Sequence, residues 1–92
     1  QAVERDFAFV VDKSTAALDV VNAAFGADKN LISDVRVFDE FIGGSLGEDK
    51  KSLAITVRLQ PVKETLKEKD IEEACAKIIA KVEKSTKAVL RG

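Results

Sequence analysis

The chain has 92 residues, of which 46% are apolar and 34% are charged, and its 15 Lys and Arg nearly balance its 16 Asp and Glu. This length provides one hydrophobic core but not two, so residues 1–92 are expected to form a single domain. The apolar content and small net charge exclude a disordered chain. No apolar run approaches the length of a membrane span and no signal segment opens the chain, which favours a soluble, cytoplasmic protein without a membrane partner.

The sequence contains no histidine and one cysteine, Cys75. The usual zinc and haem ligand sets and the Ser-His and Cys-His catalytic pairs are therefore excluded. We expect no metal site and no catalytic residue in this chain, and we interpret Cys75 as a small core residue. The start at Gln1 rather than at methionine is interpreted as a sign that the chain was cut from the C-terminal end of a longer polypeptide.

The first half of the chain predicts a strand, a short helix and a second strand. Residues 5–12 alternate so that one face of the first strand carries Phe7, Phe9 and Val11. A helix is expected next, capped by Ser14 or Thr15 and stopped by Gly26. Its apolar stripe is predicted at Leu18, Val21, Ala24 and Phe25. Residues 35–42 favour a strand, and the glycines at positions 43, 44 and 47 predict a hairpin.

The second half predicts a strand, a longer helix and a final strand. Inward positions of the returning strand are expected to be Leu53, Ile55, Val57 and Leu59, and its outward positions Ser52, Ala54, Thr56 and Arg58. Pro61 should end this strand, and Thr65 with Glu68 forms a predicted capping box. The buried stripe of the helix is predicted at Ile71, Ala74, Cys75, Ile78, Ile79 and Val82. Residues 88–91 are expected to form the last strand.

The element order βαββαβ predicts an α+β, ferredoxin-like split βαβ sandwich. Two helices would cover one face of a four-stranded antiparallel sheet of order 4-1-3-2, and the other face would stay open. The second strand then lies at a sheet edge, where regular alternation would turn Arg36 and Glu40 inward. Either the edge position tolerates these charges or a β-bulge shifts the register. The sequence leaves both alternatives open.

Motifs alone do not assign a function to this fold. The segment GGSLGEDKKS has Glu48 and Asp49 where a phosphate-binding loop needs Lys and Ser or Thr, so its glycines are interpreted as hairpin residues. Phe41, taken alone, is more typical of a residue that covers the core edge than of an exposed stacking platform. Asp39, taken alone, would be a solvated charge. The chain is also not basic, which fails the simplest test for nucleic-acid binding.

Five segments together carry a family resemblance. The strings AVERDFAFVVD, DVRVFDEFIG, DKKSLAITVRLQ, TLKEKDI and LRG resemble, in order and spacing, the C-terminal anticodon-binding domain of bacterial phenylalanyl-tRNA synthetase β subunits. The resemblance covers nearly the whole chain. It implies a ferredoxin-like fold and a recognition module for the anticodon stem-loop of tRNA-Phe. It also implies a parent ligase of two α and two β subunits that uses ATP and magnesium, with catalysis in the α subunit.

The resemblance also implies which residues face the anticodon. The anticodon-facing positions of the family match Ala8, Asp39, Phe41 and Ser52. Position 41 departs from the family pattern, which usually has Tyr there, so contacts that depend on a hydroxyl group are not expected. Position alone makes Lys50, Lys51, Thr56 and Arg58 weaker candidates for phosphate contacts, and a solvated surface explains them equally well.

Two other classes of function share this fold. A small-molecule regulatory module would bind a ligand such as an amino acid between paired domains. An acylphosphatase-like enzyme would need an arginine-lined phosphate loop after the first strand, where this chain has the sequence DKSTA. Neither alternative has a supporting motif.

Overall fold

The computed structural model describes residues 2–43, 47–60 and 67–91 of the chain. Its elements follow the predicted order: β1 (Val3–Asp12), α1 (Ala17–Ala27), β2 (Ile32–Ile42), β3 (Lys50–Leu59), α2 (Glu68–Thr86) and β4 (Val89–Leu90). The four strands form one antiparallel sheet of order β2-β3-β1-β4. This architecture confirms the ferredoxin-like prediction. None of the described helices is long and apolar enough to cross a membrane.

The core lies between the two helices and one face of the sheet. Alternate residues of β1 and β3 supply most of it, as the period-two pattern predicts. The largest fully buried side chains are Phe9, Val11, Val20, Leu53, Ile55, Val57, Leu59, Ile78 and Val82. Full burial of a side chain of this size stabilises the folded state by about 1.5–3 kcal/mol before entropic costs. The chain therefore has a hydrophobic core of its own.

Two β-bulges set the register of β2. The pairing with β3 shifts between Ile32 and Asp34 and again between Val37 and Asp39. Arg36 consequently lies opposite Thr56, on the side of the sheet away from the helices. The bulge alternative for this strand is therefore confirmed. Glu40 keeps the predicted inward position opposite Leu53, where the strand end is exposed and the Lys51 ammonium lies 3.3 Å from its carboxylate.

Helix α1 departs from the prediction at both ends and in its buried face. Its N-cap residue is Ala16, without a side-chain cap, because the backbone at Thr15 is still in a turn closed by an N–H bond to the Asp12 carbonyl. The predicted Ser14 or Thr15 cap is therefore wrong. Gly26 lies inside the helix, which continues to Ala27, so the predicted glycine stop is also wrong.

The later start of α1 changes which of its residues reach the core. Val20, Ala23 and Ala24 are buried, whereas Leu18 and Phe25 of the predicted stripe are exposed. Because α1 carries apolar residues around most of its circumference, its sequence alone does not distinguish these two faces.

Helix α2 buries the stripe that was predicted for it. Ala74, Ile78 and Val82 are buried, and Ile71, Cys75 and Ile79 pack against the core at its margin. The helix begins at Glu68, and the Asp70 carboxylate accepts a hydrogen bond of 3.1 Å from the Lys67 N–H. The predicted capping residue Thr65 and strand terminator Pro61 lie outside the described residues.

The hairpin glycines and the last strand largely follow the prediction. Gly43 and Gly47 have φ angles of 92° and 100°, a backbone conformation that favours glycine. Gly44 lies outside the described residues. Strand β4 contains two residues, one fewer at each end than predicted, and the preceding Ala88 is buried.

Candidate nucleic-acid interface

The face of the sheet opposite the helices is built from cross-strand rows. The β2-β3-β1 register gives the rows Phe41–Ser52–Val10, Asp39–Ala54–Ala8, Arg36–Thr56–Asp6 and Asp34–Arg58–Glu4. Strand β4 extends the first row with Val89, which is opposite Val10. Alternation in β1 and β3 places these residues on the face that the core does not use. We call this surface the open face.

The middle of the open face is a shallow depression. Ala8, Ser52 and Ala54 form its floor, where short side chains leave the backbone close to the surface. The depression has a volume of about 490 Å³ and is lined by Ala8, Asp39, Phe41, Ser52, Ala54 and Arg91. All four residues that the family resemblance assigned to the anticodon therefore line one depression. Ser52 is almost fully buried there, between its cross-strand neighbours Phe41 and Val10.

The bulge at Phe38 turns two of these residues outward. Val35 and Val37 face the core, so uninterrupted alternation would place Asp39 and Phe41 on the core side as well. The extra residue inverts the alternation, and Asp39 and Phe41 come to lie opposite Ala54 and Ser52. The Phe41 side chain is 47% exposed. Its ring is therefore available at the surface and is not part of the buried core.

Sequence reasoning assigned no role to two residues that line the depression. Ala54 was predicted to face outward but was given no function. Arg91 follows β4 directly, and its N–H donates a 2.6 Å hydrogen bond to the Ala8 carbonyl. The outward position of Val89 was the available signal, since alternation then places Arg91 on the open face.

Charged and polar side chains pair with one another at the far end of the open face. The Arg36 guanidinium lies 3.1 Å from the Asp34 carboxylate and 3.8 Å from that of Glu4. The Thr56 hydroxyl donates a 2.8 Å hydrogen bond to the Asp6 carboxylate. We call this region the ion-paired end; it comprises Glu4, Asp6, Asp34, Arg36, Thr56 and Arg58.

The weaker candidate residues are largely engaged by other groups. The Lys50 ammonium donates a hydrogen bond to Asp12, which raises the pKa of Lys50 above 10.5 and lowers that of Asp12 below 3.8. Lys51 lies on the core side of the sheet, with its side chain 10% exposed and paired with Glu40. Arg58 is exposed, opposite the acidic residues Asp34 and Glu4 of the neighbouring strands.

The described residues show no arrangement for metal or thiol chemistry. In residues 2–43, 47–60 and 67–91, no group of three or more His, Cys, Asp or Glu side chains could hold a metal ion. Burial raises the pKa of the Cys75 thiol, which disfavours the reactive thiolate form. This agrees with the interpretation of Cys75 as a core residue.

Comparison with known proteins identifies the family. The family model of the ferredoxin-fold anticodon binding domain matches residues 1–91. The phenylalanine-tRNA ligase beta subunit of Ruegeria pomeroyi is 75% identical over 92 residues, which are 100% of this chain and 12% of that protein. The corresponding subunits of Cereibacter sphaeroides and Mesorhizobium japonicum are 64% and 55% identical, again over 100% of this chain and 12% of each protein.

These relatives are therefore much longer than the chain, which spans 12% of the length of each of the three. The match to the family model nevertheless runs over almost every residue, and the element order and sheet topology agree with it. The chain belongs to the ferredoxin-fold anticodon binding domain family.

Proposed function

We propose that this chain reads the anticodon loop of tRNA-Phe as a domain of a phenylalanine-tRNA ligase β subunit. The observation that carries the proposal is the convergence of Ala8, Asp39, Phe41 and Ser52 around one depression on the open face. Family membership and the names of the relatives support the same assignment. Single-stranded RNA loops are recognised by surfaces on which unstacked bases lie against aromatic rings and present their edges to polar groups.

Each residue of the depression has a chemical task in this proposal. The exposed ring of Phe41 provides a stacking surface for one base, and this role does not require the hydroxyl group of Tyr. The small side chains of Ala8 and Ala54 let the base approach the sheet closely. The two carboxylate oxygens of Asp39 can accept hydrogen bonds from N1–H and N2–H of a guanine, the first base of the tRNA-Phe anticodon. The Ser52 hydroxyl can donate or accept a further bond.

The parent enzyme in this proposal joins phenylalanine to tRNA-Phe. It would act in the cytoplasm with an α subunit as partner, and its ATP and magnesium would bind outside this domain. The described residues offer no candidate for a catalytic or metal-binding role, so we assign no chemical step to this chain. Its contribution is selection of the tRNA.

The Asp39→Asn variant tests base reading by this chain. Asparagine keeps one acceptor oxygen and replaces the other with a donor, which opposes the donors of guanine. The affinity for the tRNA-Phe anticodon stem-loop should fall, and the preference for guanine over adenine at the first anticodon position should shrink. Paired hydrogen bonds to one base edge contribute about 1–3 kcal/mol of discrimination, so roughly a tenfold smaller preference is expected.

The matched control for this experiment is Asp34→Asn, which removes a carboxylate of the same strand at the ion-paired end. Both loops are titrated into each variant, and the binding constants are measured by fluorescence anisotropy. The control should leave the preference for guanine unchanged. If Asp39→Asn strengthens binding of both loops equally, Asp39 acts only as a repulsive charge and guanine reading by this residue is wrong.

A further inference from the structure

Arg91 stands across the depression from Asp39 and Phe41. Its backbone is tied to Ala8, and Ala8 and Ala54 separate it from Asp39 in the same cross-strand row. Because this row crosses four neighbouring strands, the Asp39 and Arg91 backbones are about 14 Å apart, at about 4.8 Å per strand. The two opposite charges therefore border the depression without meeting across it.

Neither of these charges is neutralised within the protein. Among the described residues, no opposite charge lies within ion-pair distance of the Asp39 carboxylate or the Arg91 guanidinium. Arg36 and Lys50, which also lie on the open face, are both paired with carboxylates. Arg91 is thus an exposed cation that borders the depression and keeps all its donors free for a ligand.

The charge pattern of the depression matches one nucleotide in chemical terms. A nucleotide has an uncharged base with donors and acceptors at one end and an anionic phosphodiester at the other. The carboxylate and the aromatic ring on the β2 side suit the base, and the guanidinium on the β4 side suits the phosphate, which arginine can bind through two parallel hydrogen bonds. The chain has a formal net charge of −1, so a local cation must supply this attraction.

We propose that Arg91 binds an RNA phosphodiester beside the base that lies against Phe41. This inference rests on the proposed function and adds a residue and a contact type to it. The RNA backbone then leaves the open face at the β4 edge. A phosphate contact orients the loop and contributes equally to every base sequence, whereas Asp39 selects among bases.

Salt dependence distinguishes these two kinds of contact. Arg91→Gln, Arg91→Lys and the control Lys81→Gln, a lysine exposed on α2, are titrated with guanine and adenine stem-loops at several salt concentrations. Loss of one phosphate contact to single-stranded RNA should reduce the slope of log affinity against log salt by about 0.7. Arg91→Gln should weaken binding of both loops by the same factor, about three- to tenfold at low salt. Arg91→Lys should keep most of the slope.

Each remaining outcome has a definite meaning. If Arg91→Gln matches Lys81→Gln in affinity and slope, Arg91 makes no contact and the inference is wrong. It is also wrong if the loss affects only one loop and leaves the slope unchanged, because Arg91 would then contact a base edge. If the unmodified chain binds neither loop, the proposed function itself fails. Circular dichroism and thermal unfolding check that each variant is folded, since only the exposed side chain of Arg91 is changed and its N–H bond to Ala8 is kept.

Discussion

The two ends of the open face use the same strands in opposite ways. Around the depression, the cross-strand row runs from Asp39 through two alanines to Arg91. One row further along, Arg36, Thr56 and Asp6 occupy the equivalent positions, and each makes a polar contact with another side chain. Backbone pairing is regular in both regions, so the difference comes from side-chain length and from the position of each charge.

This contrast shows which part of an open sheet can bind a ligand. Long paired side chains cover the backbone and satisfy each other's hydrogen bonds, so a ligand would have to break those contacts before making its own. Short side chains with unpaired charges at the margin impose no such cost. The predictions below change one end of the open face at a time and are ordered by the size of the expected effect.

Loss of the aromatic ring at the depression should have the largest effect. Phe41→Ala removes the proposed stacking surface, and stacking on an aromatic side chain contributes about 1–3 kcal/mol per base. The stem-loop dissociation constant should therefore rise about tenfold or more, as measured by fluorescence anisotropy. Phe41→Tyr should keep the affinity or improve it.

Phe38→Ala is the matched control, because Phe38 is an exposed ring of the same strand that does not line the depression. This variant should bind the stem-loop within about twofold of the unmodified chain. Equal losses in the Phe38 and Phe41 variants would mean that aromatic residues anywhere on β2 contribute, and the depression would lose its special role.

Removal of the arginine at the ion-paired end should have a smaller effect, on stability rather than on binding. Arg36→Gln breaks the contacts to Asp34 and Glu4, which are half-exposed pairs. Such pairs contribute about 0.2–1 kcal/mol, so urea denaturation should show a decrease in the free energy of unfolding within this range. Stem-loop affinity should change no more than in Lys81→Gln, which removes the same charge elsewhere. A loss comparable to that of Phe41→Ala would extend the binding surface over the ion-paired end.

The Asp12–Lys50 pair should give the smallest effect, visible only at the extremes of pH. Because Lys50 lowers the pKa of Asp12, the contribution of this carboxylate is present above its unfolded value of 3.8 and is lost as the pH falls through the lower folded value. Because Asp12 raises the pKa of Lys50, the lysine contribution is present below 10.5 and is lost as the pH rises through the higher folded value.

The unfolding free energies of the unmodified chain and of Asp12→Asn, measured against pH, test this pair. Their difference should be constant between about pH 5 and pH 9 and should decrease in stronger acid and stronger base. Parallel curves down to pH 2 would show that Asp12 and Lys50 do not interact in solution.

The predictions from sequence succeeded where one pattern had one solution. Leu53, Ile55, Val57 and Leu59 alternate with polar or small residues, so burial of one face settles the register of β3. The ladder of elements then left one topology, which the sheet order confirms. The four residues assigned through family resemblance line one depression, and their contacts with RNA stay a prediction.

Where the local sequence allowed two solutions, packing of distant parts decided the outcome. In α1, Leu18 and Val20 are equally suited to burial, and only the helix start selects Val20. The bulge in β2 depends on how Val37 and Asp39 meet β3, which no local pattern encodes. Arg91 was missed because β4 has two residues, too few for an alternating pattern to be read.

The bulge at Phe38 determines where β2 can change in length. Phe38 is the extra residue between Val37 and Asp39, so its deletion would leave a regular strand with Asp39 and Phe41 still opposite Ala54 and Ser52. Deletion of Glu40, two positions later, would instead place Phe41 opposite Leu53 and remove its ring from the depression. Relatives that differ by one residue at the bulge can therefore keep the same surface, whereas a gap two residues away would remove the aromatic ring from it.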